Sequence, residues 1–234
     1  MKFSIIKNAI ADFFRTLKEK ELENYWNDKY KTGRITYRGR SLPFSKKVCT
    51  IPVNILITPH DPYIKSDLKN WGFFDDDEDW ETKIPKIYKK IREEYYKYRY
   101  DRLVWGADEV WEFPFEMRAK GFSKGFDCDS YSHFQASYYI AAGFPRWRVR
   151  VVCGNTQLGG HSTIYIYSMK DGEWHHLNST YGRDYNEISK FPTHKDAEEG
   201  NDRIGINNVW FSFNDLNCWY DFKGDIPDEL ELEV

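Results

Sequence analysis

A change of hydrophobic period near residue 143 constrains this chain more than any other feature. Tyr131, Phe134, Tyr138 and Ala141 recur at alternating steps of three and four, so they share one face of a helix over about residues 129–142. Gly143, followed by Phe144-Pro145, is a plausible stop for that helix. From Trp147 the period falls to two: Trp147, Val149, Val151 and Cys153 alternate along one strand. A loop at 154–160, a strand at 161–168, a tight turn through Lys170-Asp171-Gly172-Glu173 and a strand at 174–178 follow. One helix followed by three closely linked strands predicts an α+β fold in which an antiparallel meander packs against the helix.

Cys128 lies at the head of that helix, in Gly125-Phe126-Asp127-Cys128-Asp129-Ser130. The first turn of a helix has unpaired N–H groups and partial positive charge, which favour a thiolate. His161 opens the second strand and Asn178 closes the third. Side chains two apart on a strand share a face, so Trp174, His176 and Asn178 point one way, His175 and Leu177 the other. With His161 and Asn178 on adjacent strands, the Asn178 oxygen is expected to accept a hydrogen bond from His161. A thiol, an imidazole that holds its proton and a group that orients the imidazole are the parts of covalent acyl transfer. His175 and His133 are weaker candidates for the base, Cys153 reads as a packed thiol, and Asp127 and Asp129 read as helix caps.

The rest of the chain frames this unit. Residues 3–30 carry Ile6, Ile10, Phe13, Phe14, Leu17, Leu22 and Trp26 at helical spacing, and residues 31–62 read as edge strands or an extended arm broken by Pro52 and Pro59. Helical spacing returns at 84–103, so the division falls near residue 80: an N-terminal helix and arm over 1–80 and a catalytic unit over 81–234. Charged residues at 30% and hydrophobic residues at 41% describe a folded chain rather than a disordered one. A net charge of −3 without a basic stripe argues against nucleic acid as a partner. Arg146, Arg148 and Arg150 alternate and read as a solvated or salt-bridged strand face, with anion binding the lesser reading. The acidic run 75–79 lacks the glycine and ordered spacing of a calcium loop, so neither a metal nor another cofactor is expected. Four scattered cysteines suggest neither a disulfide framework nor a zinc site. No secretory signal or membrane helix is visible, which makes the cytoplasm the default expectation.

The segments Trp105-Gly106-Ala107-Asp108-Glu109-Val110-Trp111-Glu112-Phe113-Pro114, Phe126-Asp127-Cys128-Asp129, Ala142-Gly143-Phe144-Pro145, Gly160-His161 and Leu177-Asn178 resemble transglutaminase-like cysteine peptidases. They are most similar to the bacterial transglutaminase-like cysteine proteinases, over roughly residues 84–180. The resemblance implies a papain-like fold and a triad of Cys128, His161 and Asn178 that cleaves or transfers amide acyl groups through a Cys128 thioester. Trp111 is then a candidate oxyanion donor through its indole N–H, and Glu116 a candidate brace for the helix start. The implied substrate is a protein, peptide or peptidoglycan-like amide, with 1–80 available to a protein partner and no membrane or cofactor involved. Two positions depart from the family pattern. Asn178 replaces the usual aspartate, and Ser130 stands where a second acidic residue is common. A different reading is a non-catalytic structural or assembly protein that keeps this fold; a viral or phage component in a virion or infected cell suits the extension and the acidic tail 225–234.

Overall fold

A computed structural model describes residues 2–39, 49–74, 78–106, 109–119, 125–178, 180, 184–220 and 230–233. The first helix, α1 (Lys2–Asp28), leads into the short strands β1 (Lys31–Thr32), β2 (Arg34–Gly39) and β3 (Cys49–Pro52). Helices α2 (Pro62–Asn70), α3 (Trp80–Tyr95), α4 (Asp101–Val104) and α5 (Pro114–Ala119) precede the motif helix α6 (Cys128–Ala141). Strands β4 (Val149–Thr156), β5 (Gly159–Tyr167) and β6 (Trp174–Leu177) form the expected meander, followed by α7 (His194–Glu198), β7 (Asn208–Phe213), β8 (Cys218–Tyr220) and β9 (Leu230–Glu233).

The meander is half of a larger sheet. Six strands run antiparallel in the order β1-β8-β7-β4-β5-β6, and a separate three-stranded sheet has the order β3-β2-β9. A helix carrying the candidate nucleophile therefore packs on an antiparallel sheet, the α+β arrangement expected from the sequence. The arm is part of this body: β1 pairs with β8, and Ile35, Leu56, Ile64 and Leu68 share one core with Ile84, Phe134 and Val151.

Helix α6 is buried on every side rather than along one stripe. Its residues from Asp129 to Ile140 are all buried, between the sheet and helices α2, α3 and α5. Polar side chains are tolerated there because most find backbone partners. Ser132 Oγ donates to the Cys128 carbonyl at 2.6 Å, and Ser137 Oγ donates to the His133 carbonyl at 2.8 Å. Gly143 takes φ 95°, and the Gly143 and Phe144 N–H groups close the helix on the Ile140 and Tyr139 carbonyls.

Four expectations change. The loop between β4 and β5 is a tight hairpin around Gln157-Leu158, with Gly159 at φ 126°. Trp147 sits in a short 3-10 turn before β4 and packs with Val152 and Tyr165, away from the core that holds Val149, Val151 and Cys153. Of the two forms expected for the arginine run, the salt-bridged one holds for Arg148, paired with Glu81 at 2.5 Å, and for Arg146, paired with Asp215 at 2.8 Å, whereas the solvated one does not, since Arg148 and Arg150 are buried. Among the described side chains of α1, Leu22 and Trp26 near its end pack, while Phe13, Phe14 and Leu17 are exposed. The side chains of Ile6, Ile10 and Cys49, residues 75–77 of the acidic run and most of the acidic tail lie outside the described residues. Asp79 caps α3 by accepting from the Thr82 N–H at 3.1 Å. Among the described residues, no helix is long and apolar enough to cross a membrane.

Candidate active site

Cys128 opens α6 and lines a cleft of about 170 Å³ with His161, Ser162, Trp111, Glu109 and Trp210. The residue keeps partial exposure, although its thiol is heavily desolvated. Burial, reinforced by the negative charge of Asp127, pushes its pKa well above the usual thiol value. The Ser162 N–H faces the sulfur and opposes this shift without overcoming it. Burial and the nearby carboxylates thus oppose the thiolate-favouring field expected at the helix terminus.

The carboxylates form a buried group under the helix start. Asp101, Glu112, Asp127 and Asp129 are each at most 7% exposed, which makes their ionised forms costly. Burial raises the pKa of all four, and that of Glu112 is pushed up to about 8. Glu112 accepts from the Trp105 indole and from Ser130 Oγ, so the serine at the departing position braces a buried acid. Asp127 stands at the N-cap position, but its side chain makes no capping bond, contrary to expectation. Asp127, Cys128 and Asp129 offer donor atoms within 4.8 Å of one another and could hold a metal ion. A thiol with two carboxylates is a mixed donor set that matches neither an all-oxygen calcium cage nor an N/S zinc site.

His161 and Asn178 meet as the strand pattern requires. Strand β5 pairs with β6 through Ile164 and Leu177, so the next step sets Asn178 opposite Thr163, two residues from His161 on the same face. The contact itself reverses the expectation. Asn178 Nδ2, not its oxygen, lies 3.0 Å from His161 Nε2. Two backbone groups impose this orientation: Asn178 Oδ1 accepts from the Thr180 N–H at 3.0 Å, and Nδ2 donates to the Ile204 carbonyl at 3.3 Å. Turning the amide over would oppose N–H to N–H and oxygen to oxygen. Nε2 must then act as an acceptor, which assigns the proton of the neutral ring to Nδ1. Burial lowers the His161 pKa to about 4.

The other named residues have definite places. Trp111 faces the cleft and stacks on Tyr37 with centroids 5.0 Å apart, but its indole N–H donates to Glu109 at 2.6 Å and is not available to an oxyanion in this state. Glu116 is buried and accepts from the Phe113 N–H at 3.0 Å, bracing the start of α5. His175 bonds the Phe191 carbonyl at 2.8 Å and Asp171 at 3.0 Å, and His133 is packed against Trp111 with its pKa lowered to about 3 by burial. Cys153 is buried beside Ser162, and burial raises its pKa to about 12. Sequence reasoning missed Tyr37, Asp101, Ser162 and Trp210. Tyr37 and Trp210 reach the cleft only through strand pairing and carry no local signal; Ser162 follows His161 directly and could have been considered.

No protein-family model matches the sequence, and no curated protein matches it. Among solved structures, the chain is similar to LapG of Legionella pneumophila at 18% identity and a TM-score of 0.47, covering 72% of this chain and 85% of that one. Calcium-bound LapG gives 18% identity and 0.49 over 70% and 83% of the two chains, and EGTA-treated LapG gives 18% and 0.47 over 72% and 83%.

Proposed function

We propose that residues 81–234 form a thiol-dependent amide hydrolase or acyltransferase unit into whose core the segment 1–80 is integrated. Cys128 is the nucleophile, His161 the proton carrier and Asn178 the residue that orients the ring. The observation that carries this reading is the contact of Asn178 with His161, on a ring that shares a cleft with a thiol at a helix N-terminus. Cys128 sulfur would attack the amide carbonyl carbon, and His161 would pass the thiol proton to the leaving amine, leaving a thioester that water or a second amine resolves. The Cys128 backbone N–H would supply one oxyanion donor, and the Ser162 N–H, which faces the sulfur, would supply the second. A narrow, aromatic-walled cleft suits an extended protein or peptide amide.

Proton transfer onto Nδ1 needs Nε2 to carry the other proton, which requires Asn178 to turn its oxygen toward the ring. The resting arrangement is therefore an uncharged thiol and imidazole. That orientation also favours a second reading, a fold retained without catalysis. Iodoacetamide labelling of intact protein, mapped by mass at each cysteine, separates the two. Catalysis predicts that Cys128 labels ahead of Cys153 and Cys218 and slows at least ~10-fold in His161→Ala. An unchanged Cys128 rate in that variant sinks the catalytic reading.

A further inference from the structure

Arg150 carries a buried positive charge that no carboxylate balances among the described residues. Its side chain leaves β4 and is 3% exposed. One terminal nitrogen donates to the Trp26 carbonyl at 3.0 Å, and the guanidinium lies 3.9 Å from the ring centroid of Trp219 and 5.0 Å from that of Trp174. Its neighbours differ: Arg146 pairs with Asp215 and Arg148 with Glu81, whereas Arg150 forms no ion pair among the described residues. Ring contacts offset only part of what it costs to strip water from a cation. Burial lowers the Arg150 pKa only to about 10, so the group stays charged at neutral pH.

Two further facts point to a ligand. Arg150 Nε and the Trp219 indole N–H are both buried without a hydrogen-bond partner. Both side chains line a cavity of about 310 Å³ between the end of α1 and the sheet, with Lys29, Trp174, Tyr165 and His194. The one carboxylate in its wall, Glu198, lies 3.5 Å from His194 Nε2, so Lys29 and Arg150 outnumber it. This cavity shares no lining residue with the Cys128 cleft.

We propose that this cavity binds a small organic anion, a carboxylate or phosphate carried on a flat ring. Arg150 and Lys29 supply the charge, the Trp219 N–H a neutral donor, and the aromatic walls the surface for the ring. The volume lies at the small end of ligand pockets, which limits the occupant to about one ring and its acidic group. Nothing in this assignment depends on catalysis at Cys128.

Titration calorimetry and tryptophan fluorescence with benzoate, phenyl phosphate and inorganic phosphate test it. At least one aromatic anion should bind, more tightly than inorganic phosphate, and lose ~10- to 100-fold in affinity in Arg150→Met. Benzoate binding alone assigns a carboxylate, and phenyl phosphate binding alone a phosphate ester. Absence of binding by both aromatic anions at millimolar concentration overturns the proposal, as does equal affinity in the variant. If Arg150→Met does not fold by circular dichroism, Lys29→Met, at an exposed position just after α1, takes its place, with several-fold weaker binding expected and unchanged affinity counting against the site.

Discussion

Replacing Asn178 with aspartate should switch the candidate site toward its charged form. In the wild type an amide N–H lies 3.0 Å from His161 Nε2 and holds it as an acceptor. A carboxylate there would accept from Nε2–H and favour the imidazolium. An opposite charge at this range moves a pKa by about 1–3 units, which would lift His161 from about 4 to roughly 5–7. The bare Coulomb term at 3 Å, ~5 kcal/mol with an effective dielectric near 20, is an upper bound because the carboxylate must itself be buried. Each unit multiplies the thiolate–imidazolium population tenfold, so iodoacetamide labelling of Cys128 at pH 7 should accelerate roughly 10- to 1000-fold. The Ile204 carbonyl loses its donor, which should lower stability by about 1–3 kcal/mol, so folding is checked by circular dichroism. Nitrogen-15 NMR of His161 supplies the second readout, with the proton on Nδ1 in the wild type and on both nitrogens in a substantial fraction of the variant. A folded Asn178→Asp protein whose labelling rate is unchanged or slower refutes the reasoning, and so does a wild-type His161 protonated on Nε2.

Two other predictions concern the support of the site. Glu112 is buried, and its pKa is raised to about 8, so the folded protein holds this proton more tightly than the unfolded chain does. The wild type should therefore lose stability as pH rises from about 4.5 to 8, by at most ~5 kcal/mol, and Glu112→Gln should escape that loss. Thermal melts should show the two proteins alike at pH 4.5 and the variant higher at pH 8; equal melting temperatures at pH 8 would place the Glu112 charge in a well-solvated setting. Gly154 pairs with His161 across β4 and β5, and a Cβ there would lie 2.2 Å from the Asn208 carbonyl oxygen. Gly154→Ala should cost about 1–3 kcal/mol in urea denaturation and disturb the His161 environment, while an unaffected midpoint would mean that the bulge between β4 and β7 relaxes freely.

The α6 helix and the β4–β6 meander were legible in the residues because hydrophobic period is a local property, helical over 131–141 and strand-like in the runs between the turns of 149–177. The order Cys128, His161, Asn178 was legible for the same reason, since strand alternation alone sets Asn178 on a definite face. Strands β7, β8 and β1, which complete the sheet, were not, because short strands gain their stability from partners distant in sequence. Tyr37 stacks on Trp111 through just such a pairing.

Chemical state was decided at the tertiary level. An asparagine in the sequence is equally a donor and an acceptor, and only the Thr180 N–H and the Ile204 carbonyl determine which end meets His161. A cysteine at a helix start favours thiolate until the burial around it and the charge of Asp127 are known. Arg150 read as one of three alternating surface cations until the sheet and α1 closed over it, with no carboxylate paired to it among the described residues. Sequence by itself determined the fold class and the order of the candidate groups, because periodicity and residue chemistry are carried by neighbouring positions. Their protonation, orientation and desolvation came from the tertiary structure, because those depend on groups brought within a few ångströms from anywhere along the chain.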